Sequence, residues 1–301
     1  MGSRERRRVL LTDDHVSFAE HAAARLRADP VGTSVVATVL AGVRAGRPQP
    51  PGSLWVVVLD GDRPVGVALC TAGFAPFVTP MDDDDAAALA DTLHRAGHDL
   101  AQVRGDAAAT RAFAVRWEQL TGCPARRTTD EGVHLLTTLV APSGVAGTAR
   151  AATPADAPLV AAWHEAFERE AHVGEQVGAE ELAQHAAMFV RRVPSGQVVL
   201  WTDGDGTPVS LAGWQLPDAE PGEATARIGP VYTPPAARRH GYAAAVTAAA
   251  TRAALEVGAG QVMLYTDLAN PTSNGVYARL GYRKVADGST WTFSPPERRP
   301  S

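Results

Sequence analysis

Apolar positions along the chain change period in a set order, and that order occurs twice. Phe18 to Val43 carries helical spacing, broken at Pro30 and Gly32. Trp55 to Leu59 is a continuous apolar, strand-like run, Asp60-Gly61-Asp62-Arg63-Pro64 reads as a turn, and Val65 to Cys70 as the return strand. The second half repeats the plan. Ala157 to Val173 and Glu180 to Val190 read as helices. Val198 to Trp201 is a strand, Asp203 to Gly206 a turn, and Val209 to Trp214 the return strand.

The correspondence continues to the end of each half. Phe77-Val-Thr-Pro80 echoes Val231-Tyr-Thr-Pro234, and each precedes an alanine-rich helix. Leu100 to Val103 falls where Gln261 to Tyr265 falls, and Trp117 to Gly122 where Tyr277 to Gly281 falls. Each half is expected to close on its own last strand, Val133 to Val140 and Thr290 to Phe293. A shared order of elements reads as duplication. The expected domains are residues 1–141 and 148–301, joined by the turn-rich Ala141-Pro-Ser-Gly-Val-Ala-Gly147.

Composition narrows the class. The chain has 301 residues, enough for two domains, with 45% hydrophobic and 20% charged residues. A net charge of −5 gives no reason to expect a nucleic-acid partner. Cys70 and Cys123 are too few for a disulfide framework or a cysteine zinc site, and fit a reducing cytoplasm. The basic start runs into Thr12-Asp13-Asp14-His15 without the apolar stretch of a signal peptide, and no run of about 18 apolar residues predicts a membrane helix. A cytoplasmic protein, monomer or homodimer, without a membrane partner is expected.

The densest chemical signal is Val231-Tyr-Thr-Pro-Pro-Ala-Ala-Arg238-Arg239-His240-Gly241-Tyr242-Ala243-Ala244. A strand stops at two prolines, a basic turn with one glycine follows, and then a long alanine-rich helix. The first turn of a helix leaves its N–H groups without intrahelical partners, and its dipole favours an anion. A glycine lets the backbone approach a phosphate closely. The turn therefore reads as a phosphate or pyrophosphate site. Upstream, the Gly229-Pro230 pair in Ile228 to Tyr232 predicts a bulge or a parting of strands, because proline has no N–H for the ladder.

Arg238-x-x-Gly241-x-Ala243 between strand and helix resembles the acetyl-CoA pyrophosphate loop of the GNAT superfamily of N-acetyltransferases. The later Asn270-Pro-Thr-Ser-Asn274-Gly-Val-Tyr277-Ala-Arg-Leu-Gly281-Tyr282 resembles the late helix of that family. The resemblance covers about Arg150 to Phe293, and the first half only as an eroded copy. It implies an α/β fold of two GNAT-like domains, each a mixed, largely antiparallel sheet flanked by helices. It also implies acetyl-CoA as donor substrate, no metal, and direct transfer to an amine of a small molecule in a ternary complex. Val231, Tyr232, Thr233, Arg238, Arg239, His240, Gly241, Tyr242, Ala243, Ala244, Asn270 and Asn274 would then line the donor site. The Val231 N–H would polarise the thioester carbonyl. Tyr277 would protonate the departing thiolate. Asn274 is also readable as a helix cap.

For the base that takes the amine proton, Glu165, Glu168, Glu170, His172, Asp218, Glu220 and Glu223 are the candidates. Glu168 is favoured, because Trp163, Phe167 and Glu168 can form a partly apolar lip. The first half lacks the machinery. Asp82 to Asp85 stand where the basic turn should be and would repel a pyrophosphate, though they suit a helix start. Counting back seven from Trp117 gives Thr110 where the second half has Asn270, and Trp117 has no hydroxyl. His94 and His98, four apart on a predicted helix, read as a solvated face, since no metalloprotease glutamate stands between them. The reading is an acetyltransferase with one working half. The alternative is a non-catalytic acyl-CoA-binding sensor or regulatory protein. A transferase using aminoacyl-tRNA would need a basic track, which the acidic chain lacks.

Overall fold

The valine run Leu54–Asp60 and its return Arg63–Cys70 form an antiparallel hairpin, the centre of the first half. A computed structural model describes residues 7–171, 178–217 and 222–295. These divide into two units. The first contains β1 (Arg7–Thr12), α1 (His15–Ala28), α2 (Ser34–Arg44), β2 (Leu54–Asp60), β3 (Arg63–Cys70), β4 (Phe77–Val78), α3 (Asp83–Arg95), β5 (Gln102–Asp106) and α4 (Ala107–Thr121). Its strands run β1-β2-β3-β4-β5, antiparallel except for the parallel pair β4–β5. Pro30 and Gly32 fall between α1 and α2, where the helical period breaks. Val56, Val58, Val78, Leu89, Leu93, Phe113 and Trp117 form its core.

After β6 (Ala125–Leu136), the second half repeats that list with β7 (Thr148–Ala151), α5 (Ala157–Ala171), α6 (Ala179–Val190), β8 (Val198–Thr202), β9 (Pro208–Gln215), β10 (Thr225–Tyr232), α7 (Tyr242–Glu256), β11 (Gln261–Asp267) and α8 (Pro271–Leu280). The order β7-β8-β9-β10-β11 is again antiparallel up to one parallel pair, β10–β11. The hairpins β2–β3 and β8–β9 place Ala68 and Ala212 at the same position, and Ala68 pairs with Val78 as Ala212 pairs with Val231. The pairing therefore aligns Val78 with Val231, one residue away from the sequence match of Phe77-Val-Thr-Pro80 to Val231-Tyr-Thr-Pro234. Small residues of α7 (Ala245, Ala248, Ala250 and Ala254) are buried and let the helix lie close on its sheet.

The closing strands depart from the sequence reading. Each half was expected to keep its own, but the two are exchanged between the units. β12 (Tyr282–Phe293), at the end of the chain, pairs antiparallel with β5 from Gly288↔Asp106 to Thr292↔Gln102. Residues from Lys284 onward belong to the first unit, whereas the last three residues of β6 belong to the second. There the Thr137 and Val140 N–H groups donate to Gly281 O and Leu280 O, each at 3.0 Å. Phe293 joins the core of the first unit against Trp117. The apolar ends of these strands were legible. Their polar lengths, such as Arg126 to Glu131, carry little alternation and read as loop.

Two smaller readings change as well. α3 ends at Arg95, so His94 and His98 do not share a helix. Thr110 lies one turn inside α4, where its hydroxyl meets Ser289 Oγ at 2.8 Å. The residue that starts α4, as Asn270 starts α8, is Asp106. Counting back from the aromatic failed because α4 has 15 residues and α8 has 10.

Candidate active site

Parallel pairing of β10 with β11 runs from Thr225↔Gln261 to Ile228↔Leu264 and stops there. Both strands continue, β10 to Tyr232 and β11 to Asp267. On the other side of β10, the register against β9 shifts between Ile228 and Val231. Gly229 and Pro230 fill the shift. Proline cannot donate to a ladder, so the irregularity sits where the backbone can least keep regular pairing. The predicted bulge and the predicted parting of strands are thus both present.

Beyond Tyr232 the chain turns through a short 3-10 segment, Pro235–Ala237, into the basic turn. Arg239 stands at φ 67, a region that few non-glycine residues occupy, and Gly241 at φ 84. A side chain at Gly241 would also press on Val145, 3.0 Å from the added Cβ. Left-handed residues in a turn are among the conformations from which anion-binding nests are built. Gly241 is the N-cap of α7, and no side chain caps that helix. Among the described residues, the N–H groups of Tyr242, Ala243 and Ala244 have no capping partner. His240 stacks on Tyr242, with ring centroids 5.6 Å apart.

The arginines differ in what they touch. Arg238 folds back, with Nε donating to Thr233 O at 3.0 Å and Nη2 to Glu170 Oε2 at 2.6 Å. Arg239 and His240 are exposed at the tip of the turn. Thr233 Oγ1 is 2.8 Å from Ser210 Oγ, which also donates to Tyr232 O. This fastens the end of β10 to β9 while the side toward β11 is without ladder pairing.

Val231, Ala244 and Tyr277 all pack against one core cluster, built from Ile228, Val246, Leu264, Leu280 and Tyr282. Strand end, helix start and late helix therefore share a foundation. Tyr277 stands edge-on to Tyr282, and burial pushes its hydroxyl up to about 12. It keeps its proton throughout the physiological range. Asn270 caps α8, its side-chain oxygen accepting from the Ser273 N–H at 3.0 Å, which leaves its amide NH2 as donor. The cap is thus Asn270 and not Asn274, whose N–H donates to Asn270 O within the helix.

The base candidates separate. Glu165 pairs with Arg169 at 2.8 Å. Glu168 Oε2 lies 3.5 Å from His185 Nδ1, and Oε1 lies 4.0 Å from His164 Nε2. Glu170 holds Arg238, and Glu223 is exposed at the approach to β10. His172, Asp218 and Glu220 lie outside the described residues. Sequence reading missed His164 and His185. The i, i+4 spacing of His164 and Glu168 was the available signal, but nothing local pointed to His185 on the next helix. His164 is buried against Phe189, and desolvation lowers it to about 4 despite the nearby Glu168. Arg192 links this group to the bulge through Gly229 O at 3.4 Å.

In the first unit the equivalent places are occupied by structure. Asp83, Asp84 and Asp85 open α3, where Asp83 pairs with Arg111 at 2.9 Å and Arg7 bridges Asp84 and Asp85. Trp117 is fully buried among Phe113, Phe293 and His94.

Comparison with known proteins agrees with this asymmetry. Residues 130–282 match the acetyltransferase (GNAT) family, and the match starts at the exchanged strand and ends with the late-helix motif. The chain is similar in fold to a GCN5-related N-acetyltransferase from Sphaerobacter thermophilus (18% identity, TM-score 0.58, 98% of each chain covered). It is also similar to a Drosophila protein (14% identity, TM-score 0.64, covering 97% of this chain and 99% of that one). A third likeness is to a tandem GNAT protein from the clavulanic acid biosynthesis pathway (15% identity, TM-score 0.56, covering 98% of this chain and all of the other). No curated protein matches in sequence. A family match over half of the chain, centred on the unit with the open strand pair and the uncapped basic turn, places this acyltransferase in the acetyltransferase (GNAT) family.

Proposed function

We propose that the second unit transfers an acetyl group from acetyl-CoA to an amine of a small molecule, by direct attack while both substrates are bound. The observation that carries this is the joint presence of two features on one strand. β10 parts from β11 after Ile228, and the same strand leads into an uncapped helix start with two left-handed residues. The donor pyrophosphate is assigned to the N–H groups of Gly241 to Ala244, with Arg238 and Arg239 supplying charge. The thioester is assigned to the gap beyond Ile228, with the Val231 N–H as the donor to the developing oxyanion. Asn270 and Asn274 are assigned to the amide groups of the donor's arm.

The amine lone pair attacks the carbonyl carbon, the oxyanion collapses, and the C–S bond breaks. Glu168 is the group assigned to take the amine proton, with His185 beside it. For Tyr277, the raised pKa refines the role. A free thiol titrates at about 8.5, so full proton transfer from a phenol at about 12 to a thiolate is uphill. A hydrogen bond from the Tyr277 hydroxyl to the departing sulfur stabilises the leaving group without that step. The first unit, residues 1–141 in the sequence reading, is proposed to be a degenerate domain with no donor site. The likeness to known folds offers nothing in favour of a sensor without turnover.

Thiol release from acetyl-CoA, measured across an amine panel, tests the proposal. Acetyl transfer is expected for at least one amine, and Tyr277→Phe is expected to lower kcat about ten- to a hundredfold with CoA affinity unchanged. Binding of CoA without thiol release for any amine would favour the sensor; an unchanged kcat would remove Tyr277 from the chemistry.

A further inference from the structure

The turn assigned to the donor and the helix that carries the proposed base share one arginine. Glu170, near the end of α5, receives Arg238 Nη2 on Oε2 at 2.6 Å and the Tyr232 hydroxyl on Oε1 at 3.2 Å. Arg238 lies over the Tyr232 ring, 6.0 Å from its centroid, and is tied to Thr233 O. Tyr232 is buried at the end of β10 and faces Trp163 of α5 with ring centroids 6.3 Å apart. Trp163, Phe167 and Glu170 are spaced i, i+4, i+7 and so share one face of α5. That face is an aromatic wall ending in a carboxylate.

We infer that Glu170 is an internal stand-in for the donor's phosphate at Arg238, and that once displaced it anchors a cationic group of the acceptor. This rests on the donor-site reading above. The chemistry is an exchange of anions on one cation. A guanidinium binds a carboxylate and a phosphate with the same planar donors. Both side chains of the pair are nearly half exposed, at 43% and 46%, so the contact is weak enough to be exchanged. The arginine is held along its own turn by Thr233 O, so losing Glu170 does not release it from the loop. The carboxylate, in turn, remains oriented by the Tyr232 hydroxyl. One oxygen is then open at the end of an aromatic wall, a pairing of groups that suits an ammonium on an apolar body. The substrate class is therefore a small amine with a second cationic nitrogen, distinct from the one acetylated. Occupancy of the donor site makes the acceptor site.

Calorimetry with CoA on the full chain, comparing wild type with Glu170→Gln, reads the first half. Glutamine keeps the shape and removes the charge. Affinity is expected to rise about two- to fivefold, the worth of an exposed ion pair. Glu181→Gln, which removes one charge elsewhere on the unit, is expected to leave it unchanged. Unchanged or weaker CoA binding in Glu170→Gln would overturn the inference, since Glu170 would then be holding Arg238 ready for phosphate or doing nothing to it. An equal rise in both variants would overturn it too, as an effect of net charge. Steady-state kinetics reads the second half. With Glu170→Gln, KM for diamines is expected to rise while KM for the matching monoamines stays. An unchanged preference for diamines would overturn the acceptor role. If wild type itself bound no CoA, the donor-site reading would have failed before any variant was made.

Discussion

The parallel pairs β4–β5 and β10–β11 occupy the same place in two copies of one plan, and they differ at one step. In the first unit, Phe77 and Val78 pair with Arg104 and Gly105, and Arg104 donates to Pro76 O at 2.9 Å. By register, Phe77 and Val78 correspond to Pro230 and Val231, which lie beyond Ile228↔Leu264, where the described pairing with β11 ends. The first unit is zipped where the second is open. Gly105 makes this possible: at φ 137 its absent Cβ would stand 2.0 Å from Val78 O. Gly229, at φ 141, has nothing within 4 Å of its own. The first half therefore differs from the second by more than a basic turn. The gap itself is filled with backbone hydrogen bonds, and restoring arginines to α3 would not by itself recreate a site.

The largest test carries the acidic character of α3 into the start of α7. Gly241→Glu sets a carboxylate at the position proposed for the pyrophosphate and a side chain against Val145, at a φ that favours glycine. CoA affinity should fall about a hundredfold or more by calorimetry. Asp84→Asn, the converse change in the first unit, should leave CoA affinity as it was. Retained binding in Gly241→Glu would move the donor away from α7.

The two glycines test the difference between zipped and open. Gly105→Ala is expected to cost about 3–5 kcal/mol in chemical denaturation, because the clash is with backbone. Gly229→Ala should cost about 1–2 kcal/mol, from dihedral strain alone. Equal costs would mean that the second pair is not open at this level.

The last test concerns pH, where the effect per pH unit is small. His164, in the second unit, titrates at about 4 in the folded chain and near 6.5 when unfolded. Between these values the unfolded chain binds the extra proton, so stability rises with pH through the window and is lost as pH falls from about 6.5 toward 4. The slope is at most about 1.4 kcal/mol per pH unit for one proton. His164→Phe should flatten denaturation midpoints across that window. Asp156, held well below the ordinary carboxylate range by Arg150, acts in the same direction only under more acidic conditions, so the two are separable. A slope unchanged in the variant would assign the acid loss to another group.

Much of the plan was legible because it is written in local chemistry. Valine runs, aspartate–glycine turns and alanine-rich helices repeat in order, and the spacing from Asn270 to Tyr277 survives intact. The basic turn was legible for the same reason, since arginine, glycine and a helix start are neighbours in sequence. Three things were not. The exchange of β6 and β12 was hidden because strand partners are chosen by contacts over a hundred residues apart, and their polar stretches carry no period. The Glu168–His185 pair joins two helices whose relative rotation no local pattern sets. Arg238 and Arg239 read alike as charge for a phosphate, and only the fold showed that Glu170 already holds Arg238.

The sequence by itself determined the repeated order of elements, the position of the one glycine turn with its charges, and the absence of that turn from the first half. These are properties of neighbouring residues, expressed through helix starts, turns and dihedral limits. Only the tertiary structure decided which strand closes which unit, that one parallel pair parts while the other is zipped, and that a carboxylate on α5 shares its arginine with the turn. Each of those depends on backbone groups far apart in the chain meeting at hydrogen-bonding distance, and that meeting has no signature in the order of residues.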